Sequence, residues 1–515
     1  MITASITSKH RILFNAFCSA TGFCATAVGA FYMSPLLVHG LGNQRYGIWA
    51  LVESVLAYLS ILDFGIGAAV VRYIARFHEV HDENEVNRLF STSIVLFALA
   101  GLVALAVTIS LAFLWSNPLG VPAELVSDTQ WLLVALGLNL AIGLPLNVYA
   151  AALDGLGDFP TKTAIRTFFL TVRYALFMLA IQGDGAVPKI ATIVLLCGVL
   201  ECAVVGVFAH LRLPGLRFAP RFVDRSTVRR IASYSGHAFL VMVASRVSFQ
   251  TDAIVIGAFL APEAITFFMI GAKLVSYAKD GIRSLTTVLT PSISALESRG
   301  DTAGIHRILI TGTRYVLYLV LPIELGFIIL GEPFISIWMG PEYASECFTT
   351  LWVLAVPLAL TMSQSVSARI LFGTGRLGWF SGATVLEAIT NLILSVALVR
   401  PFGIVGVAIG TAVPNIVLNL ALAQHICRCT KVRIATYGLH AWLPPLLVAL
   451  IPTAVWVVTR VYWGPPGEWM SFAFVLATGL APYALSVCVL ELQMRSWRAS
   501  KVERSVSLNQ MSSVA

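Results

Sequence analysis

Charge is scarce in this sequence, and that scarcity decides the class of protein. Of its 515 residues, 12% are charged and 58% are hydrophobic, and the mean hydropathy is +0.84. A soluble chain of this length would form about three or four domains, but this composition indicates a polytopic membrane protein instead. The net charge of +8 is spread over short loops without a continuous basic face, so no nucleic-acid partner is expected.

Three further absences narrow the function. No Gly-rich phosphate loop ending in Lys-Ser or Lys-Thr is present, so no fused ATPase is expected. A polymerase or ligase acting on a lipid-linked sugar would need a large external loop carrying Arg or His. The longest predicted external loop runs only from Ser116 to Gln130, so we predict that the chain is not an enzyme. The eight cysteines lack metal-ligand spacing, which predicts free thiols and no metal site.

Apolar runs long enough to cross a bilayer recur along almost the whole chain. About 20 residues cross the roughly 30 Å of hydrocarbon, and fourteen such spans fit the sequence. They cover residues 12–38, 47–71, 89–115, 131–152, 164–181, 190–210, 231–260, 265–292, 308–338, 347–372, 379–398, 402–425, 442–459 and 470–490. The predicted fold is therefore an all-α polytopic membrane protein, whose first span is an uncleaved helix.

The basic residues of the loops predict the orientation, because Lys and Arg are retained on the cytoplasmic side of a membrane. An even number of spans places both termini and most basic loop residues on one side, which we assign to the cytoplasm. The opposite side holds only Arg45, Lys189, Arg400 and Arg460. The largest cytoplasmic cluster consists of Arg212, Arg217, Arg221, Arg225, Arg229 and Arg230. The basic, Ser-rich segment 493–515 predicts a disordered tail whose cations could touch anionic lipid.

Two short sequence matches at nearly the same offset indicate an internal repeat. They pair 81–93 with 300–312 and 153–158 with 371–376. The first match places Asp82 opposite Asp301, and each segment of the second contains Gly-x-Gly, which is more simply turn chemistry than a phosphate site. The repeat predicts two six-helix lobes related by pseudo-two-fold symmetry, followed by two C-terminal helices. The predicted divisions are 1–230, 231–439, 440–492 and the tail 493–515.

Charged side chains interrupt the seventh and eighth spans. They are Arg246, Asp252, Lys273, Lys279, Asp280 and Arg283. An ionised side chain in hydrocarbon costs about 3 kcal/mol or more, so such residues line a wet cavity, pair with one another or bind a charged ligand. Because the cations outnumber the acids here, we expect a cavity wall that binds an anion, the phosphate of a lipid carrier. The alternative is a set of salt bridges that only joins helices.

Other spans contribute further candidate residues. Additional substrate-binding cations are Arg166 and Arg173, two turns apart on the fifth span, and Arg314 in the ninth. Arginine suits phosphate because its planar guanidinium group forms paired hydrogen bonds. Intramembrane acids are about as numerous as the cations, so some of these charges must pair. Asp252, Glu324 and Glu387 lie near mid-span, where Na⁺ or proton coupling and a structural role are both open.

Two stretches resemble a known superfamily. The segment LVHGLGNQRYGIWALVESVLAYLSILDFGIGAAVVRYIA, at 37–75, looks like the early region of the polysaccharide-exporter branch of the multidrug, oligosaccharidyl-lipid and polysaccharide exporter superfamily. The segment NLILSVALVRPFGIVGVAIGT, at 391–411, is similar to its pattern of Asn, an apolar run and Gly-x-x-Gly-x-Ala-x-x-Thr. The span number and short loops agree with this resemblance.

The resemblance implies a Wzx-type flippase of the bacterial inner membrane. Such a protein moves undecaprenyl-pyrophosphate-linked oligosaccharide repeat units from the cytoplasmic to the outer leaflet by alternating access. Membrane lipid, a polysaccharide polymerase and glycosyltransferases would be its partners, and a Na⁺ or H⁺ gradient, rather than a cofactor, would supply the coupling. A lipid II flippase and a drug or metabolite antiporter of the same superfamily are the alternatives, and an antiporter for organic cations should have an acid-rich cavity.

Overall fold

The computed structural model describes residues 21–22, 25–79, 82–114, 121–181, 185–234, 236–287 and 289–512. These residues form helices joined by short turns, and the described part of the chain contains no β-strand. The predicted all-α membrane fold is confirmed.

Nineteen α-helices follow one another along the described ranges. Those of the first half are α1 Ala25–Leu41, α2 Asn43–Leu59, α3 Ile66–Glu79, α4 Glu83–Leu114, α5 Val126–Gly155, α6 Phe159–Ala180, α7 Ala186–Arg212, α8 Arg225–Tyr234 and α9 Gly236–Phe259. The remainder are α10 Pro262–Thr287, α11 Leu289–Ser298, α12 Thr302–Arg307, α13 Thr313–Trp338, α14 Pro341–Ala355, α15 Leu358–Thr374, α16 Gly378–Cys429, α17 Ile434–Tyr437, α18 Leu443–Trp463 and α19 Trp469–Ser512.

The helices agree with the predicted spans in position. Within the described residues, ten helices are long and apolar enough to cross a membrane, and the pair α14 and α15, bent by 40°, adds an eleventh. The 52-residue α16 breaks at Gly403, where φ is 57° and ψ is −140°, at the start of the twelfth predicted span. The first predicted span is described at 21–22 and from Ala25 onwards, and the eighth corresponds to the more charged α10. The number fourteen remains a prediction.

The chain divides into two compact units. The first comprises Met1–Ile270 and Leu377–Pro414, and the second comprises Gly271–Arg376 and Asn415–Ala515. This division passes through α10 and α16, so it differs from the lobe boundaries expected from the repeat. Those lobe boundaries remain a prediction from the sequence.

Helices α3, α4 and α5 form the main apolar core of the first unit. Buried Ile74, Phe90 and Val148 belong to this core. A Cβ atom at Gly101 of α4 would lie 2.5 Å from the carbonyl oxygen of Ala141 in α5. Glycine is therefore required for the close approach of the two helix backbones.

The second unit is organised around α13. This helix contains Pro322 and Pro333. A proline has no N–H, so each leaves the carbonyl group one turn earlier without its helical partner. Neighbouring helices supply the missing donors: the Tyr483 hydroxyl donates to the Tyr318 oxygen at 2.7 Å, and Arg460 Nη1 donates to the Ile329 oxygen at 2.5 Å. The prolines thus create acceptors that join α13 to α18 and α19.

The residues paired by the first sequence match have the same local geometry. Asp82 accepts a hydrogen bond from the Glu85 N–H at 3.0 Å, and Asp301 accepts one from the Gly304 N–H at 2.8 Å. Both aspartates therefore cap helix N-termini.

The glycines paired by the second sequence match also share their backbone conformation and their close contacts. Gly157 and Gly375 end helices with φ of 70° and 71°, which supports the interpretation as turn chemistry. A Cβ atom at Gly155 would lie 3.0 Å from both the Val71 oxygen and the Ile74 side chain. At the equivalent Gly373, a Cβ atom would lie 3.3 Å from the Thr290 oxygen and 2.7 Å from the Ile293 side chain.

The C-terminal segment differs from the disordered tail that its composition predicts. Helix α19 continues to Ser512. Residues 493–512 contain neither glycine nor proline and include several strong helix formers, so nothing local ends the helix that begins in the last span.

Candidate functional site

A buried carboxylate network lies in the first unit. Asp252 of α9 is 6% exposed. The Thr411 hydroxyl oxygen lies 2.9 and 3.1 Å from its two carboxylate oxygens, and Asn391 Nδ2 donates to the same hydroxyl at 3.1 Å. The three residues come from α9 and from both halves of α16. The network therefore depends on the break in α16.

Glycines of α16 bring its two halves together. Gly403 supplies the non-helical backbone at the break. Cβ atoms at Gly406 and Gly410 would lie 2.1 Å from the Leu398 oxygen and 2.5 Å from the Ser395 hydroxyl. Only glycine permits this approach. The Gly-x-x-Gly segment thus has a physical function: it lets two polar helix faces meet inside an apolar protein.

The oxygen atoms of this network form a donor set suited to a hard cation. Asn391 is completely buried, and its Oδ1 atom has no hydrogen-bond partner among the described residues. Carboxylate, hydroxyl and amide oxygens are ligands that hard cations prefer. Asp252, Thr411 and Asn391 supply one group of each kind.

A second buried acid joins the same pair of helices. The Ser248 hydroxyl of α9 donates to Glu387 Oε2 of α16 at 2.7 Å, and Glu387 is 7% exposed. Glu387 lies one turn before Asn391. Two of the three acids predicted for ion coupling, Asp252 and Glu387, are therefore placed on one helix pair.

The third predicted acid has a different environment, in the second unit. Glu324 of α13 is buried and accepts a hydrogen bond from the Ala359 N–H at 3.0 Å. Ala359 lies in the first turn of α15, where N–H groups lack helical partners and a negative charge is favoured. Glu324 therefore caps α15 at the bend between α14 and α15.

Three of the predicted cations of the second unit lie on one uninterrupted helix, α10. Lys279 is buried, whereas Lys273 and Arg283 are half-buried. Arg283 Nη1 lies 3.9 Å from the exposed Asp280 carboxylate. Arg369 of α15 is close enough to Arg283 for their charges to repel each other. Arg369 was not among the predicted site cations, although its position inside the apolar run 347–372 was a signal that it lies among the spans.

The remaining predicted cations are more dispersed. In the first unit, Arg246 of α9 and Arg166 of α6 are exposed, so Arg246 occupies a different face from the buried Asp252. Arg173 Nη2 lies 3.4 Å from Glu201 Oε2, an ion pair between α6 and α7. This pair is one of the helix-joining bridges that the balance of charges predicted.

Arg314 also forms an ion pair, within the second unit. It is 1% exposed, its Nε atom lies 3.3 Å from Glu491 Oε1, and its Nη1 atom lies 3.0 Å from the Met494 sulfur. The pair joins α13 to α19. Arg314 was predicted to bind substrate, but these contacts favour the helix-joining alternative. Glu491 was missed because it lies far away in sequence, near the end of the last span.

Comparison with known proteins places this arrangement in a family. The sequence profile of the family described as "Polysaccharide biosynthesis protein" matches residues 36–348, more than half of the chain. The chain belongs to this family. As a member of the polysaccharide biosynthesis family, within the polysaccharide-exporter branch predicted above, it is a multi-pass membrane transporter and not an enzyme.

Individual relatives are distant but extend over most of the chain. The uncharacterized membrane protein EpsK of Bacillus subtilis is 22% identical over 88% of this chain and 89% of its own length. The putative O-antigen transporter of Shigella flexneri is 20% identical over 80% of this chain and 97% of its own. The lipid II flippase MurJ, in an inward closed conformation, superposes with a TM-score of 0.70 at 14% identity, covering 95% of this chain and 99% of that structure. This last similarity shows the shared fold.

Proposed function

We propose that the chain is a flippase for undecaprenyl-pyrophosphate-linked oligosaccharide repeat units, moving them from the cytoplasmic to the outer leaflet of a bacterial inner membrane by alternating access. The substrate has a sugar head group that cannot cross hydrocarbon alone and a pyrophosphate that carries its charge. A protein that moves it must offer a wet, locally cationic path through the membrane.

The observation that carries this proposal is a set of cations on apolar helices of the second unit: Lys279 and Arg283 on α10, and Arg369 on α15. Cations on membrane-spanning helices are costly unless anions offset their charge, and the Asp280 carboxylate that lies 3.9 Å from Arg283 is exposed. Lys279 lies one turn before Arg283 on α10, and Lys273 lies nearer the start of the same helix. We assign the pyrophosphate to these four residues, and Arg246 and Arg166 of the first unit remain separate candidates for contact with the substrate.

Coupling is assigned to the network around Asp252. A Na⁺ ion or a proton bound by Asp252, Asn391 and Thr411, with Glu387 nearby, would neutralise a buried charge and change the stability of the break in α16. Glu324 is proposed to act as a cap and not as a coupling residue. Glycosyltransferases that make the lipid-linked unit and a polymerase that consumes it would be the functional partners.

Charge reversal tests the assignment of the anion site. In a strain that lacks the chain, plasmid-borne Lys279→Glu, Arg283→Glu and Arg369→Glu should fail to restore polysaccharide export, while Lys279→Arg should restore it. A single Ala substitution removes a charge-assisted contact of about 1.5–3 kcal/mol, or about 10- to 100-fold in affinity. The control is Arg428→Glu, an exposed cation in the last turn of α16.

The outcomes separate the competing interpretations. Export that survives all three reversals at normal protein levels would contradict the anion site. If Asp280→Lys instead rescued Arg283→Glu, the cations would form helix-joining salt bridges. Normal export in the deletion strain, accompanied by sensitivity to organic cations, would favour a drug antiporter.

A further inference from the structure

The connection between α7 and α9 has an unusual charge composition. From Arg212 to Arg230 the chain contains six arginines and a single acid, Asp224. We refer to residues 213–229 as the arginine loop. It follows α7 directly, a helix long and apolar enough to span the membrane. The loop therefore begins where the hydrocarbon region ends.

Polar residues of α4 hold the backbone of the arginine loop. Asn87 donates from Nδ2 to the Gly215 oxygen at 3.0 Å and accepts from the Arg217 N–H at 2.7 Å. The Ser91 and Thr92 hydroxyl oxygens accept from the N–H groups of Ala219 and Asp224 at 3.2 and 3.3 Å. Asn87, Ser91 and Thr92 are all buried. The loop is thus fixed to the start of α4 by side-chain hydrogen bonds to its backbone.

Apolar contacts at both ends reinforce this attachment. Leu216 and Ile231 are 3% and 4% exposed and belong to the same buried cluster as Phe90 of α4. With its backbone and these two side chains held, the loop can bind a ligand through its outer side chains without a large ordering cost.

The outer surface of the loop alternates cations and apolar groups. Arg217, Arg221, Arg225 and Arg229 are exposed, and no ion pair engages their guanidinium groups within the described part of the chain. Between them, Phe218 is 48% and Val223 is 40% exposed. The other two arginines are already paired, Arg212 with Asp158 at 2.8 Å and Arg230 with Glu85 at 2.7 Å.

The single acid of the loop cannot balance its four exposed arginines. Asp224 accepts hydrogen bonds from Ser226 and from the Thr227 N–H at the start of α8. The hydrogen bond from the Ser226 hydroxyl, with those from the N–H groups, holds the pKa of Asp224 below its ordinary value. The negative charge of Asp224 therefore lies at the N-terminus of α8, where it is stabilising.

We propose that the arginine loop is a binding surface for anionic phospholipid headgroups. Its four exposed guanidinium groups match headgroup phosphates, and Phe218 and Val223 can enter the boundary between headgroups and acyl chains. Exposed apolar residues beside a membrane-spanning helix favour lipid over an acidic protein. The surface would fix the end of α7 at the membrane boundary, whatever substrate the transporter moves.

Hydrogen exchange of the full-length protein in lipid nanodiscs tests this proposal. Nanodiscs of phosphatidylcholine are compared with nanodiscs of an equimolar mixture of phosphatidylcholine and phosphatidylglycerol. Bound headgroups should stabilise the loop in its attachment to α4 and slow exchange of its amides by about threefold or more. This size is expected because a cation beside an anionic surface strengthens binding about fivefold. High salt should remove the difference, since it screens exposed charges.

Two variants make the test specific. R217Q/R221Q/R225Q/R229Q should lose the phosphatidylglycerol effect, whereas the Arg-to-Lys version should retain most of it. The control R428Q/K431Q/R433Q removes exposed cations from another loop and should leave the effect intact. Equal exchange in the two lipids, as expected if the loop instead binds an acidic protein, would overturn the proposal. So would an effect that survives the glutamine substitutions or disappears in the control.

Discussion

Thr411 lies with its hydroxyl oxygen 2.9 and 3.1 Å from the two carboxylate oxygens of Asp252. One hydroxyl proton can serve only one of these oxygens at a time. A negative charge at Asp252 is costly inside an apolar protein. A bound cation or proton would neutralise this buried charge, which makes Asp252 suited to sense a gradient.

We expect Asp252→Asn to abolish gradient-driven transport while leaving expression and substrate binding intact. The substitution keeps the shape of the side chain but removes its charge, so an ion gradient can no longer bias the two states. Transport into proteoliposomes with imposed Na⁺ or H⁺ gradients measures the effect. Asp280→Asn, at an exposed acid of α10, is the control. Unchanged gradient dependence in both Asp252→Asn and Glu387→Gln would refute coupling at this network.

Breaking the buried Arg314–Glu491 pair should destabilise the protein strongly. Arg314→Met alone leaves a buried carboxylate without its partner and should cost about 3–5 kcal/mol. The double variant R314M/E491L should recover much of this loss, because it leaves no isolated charge. Unfolding of the detergent-solubilised protein by denaturant measures both. Arg376→Gln, which breaks the exposed pair with Glu297, should cost only about 0–1 kcal/mol. Equal losses for the buried and exposed pairs would contradict this account.

Alanine at either helix-ending glycine should also be destabilising. Gly157 and Gly375 have φ near +70°, a conformation that costs a residue with a Cβ atom about 1–2 kcal/mol. Both variants should lower the unfolding free energy by similar amounts if the two positions are equivalent in the repeat. Gly378→Ala is the matched control, because Gly378 lies in a helix and a Cβ atom there has no neighbour within 4 Å. If Gly378→Ala lowered the unfolding free energy by a similar amount, backbone conformation could not be the cause of the loss.

Local sequence signals predicted the fold well. The apolar runs identified the positions of the spans, since membrane helices require long uninterrupted hydrophobic segments. The repeat was found from a few identities, and Asp82 and Asp301 have the same capping role because helix starts impose the same chemistry wherever they recur.

The partners of the charged residues could not be predicted in the same way. Periodicity assigns a residue to a helix face but does not identify the distant helix that packs against it. Arg314 was therefore assigned to substrate, although Glu491 lies beside it. Thr411 was likewise missed as a partner of Asp252, because their contact depends on the break at Gly403.

Orientation in the membrane can be tested by labelling. Single cysteines at Arg221 and Glu342, introduced into a cysteine-free background, should react with impermeant reagents from opposite sides of the membrane. The distribution of basic loop residues places Arg221 in the cytoplasm and Glu342 outside, and both side chains are exposed. Pro118, the second predicted external position, lies outside the described residues. Labelling of Arg221→Cys and Glu342→Cys from the same side would refute the span assignment.

The most direct test of the proposed function is translocation by the purified protein. Proteoliposomes are loaded with a pyrophosphate-linked polyprenyl oligosaccharide in both leaflets, and a glycosidase is added outside. With the intact chain, nearly all of the sugar should become cleavable, whereas Arg283→Glu and protein-free vesicles should protect the inner half. Continued protection with the intact chain, or equally rapid movement of a neutral glycolipid without pyrophosphate, would contradict the account.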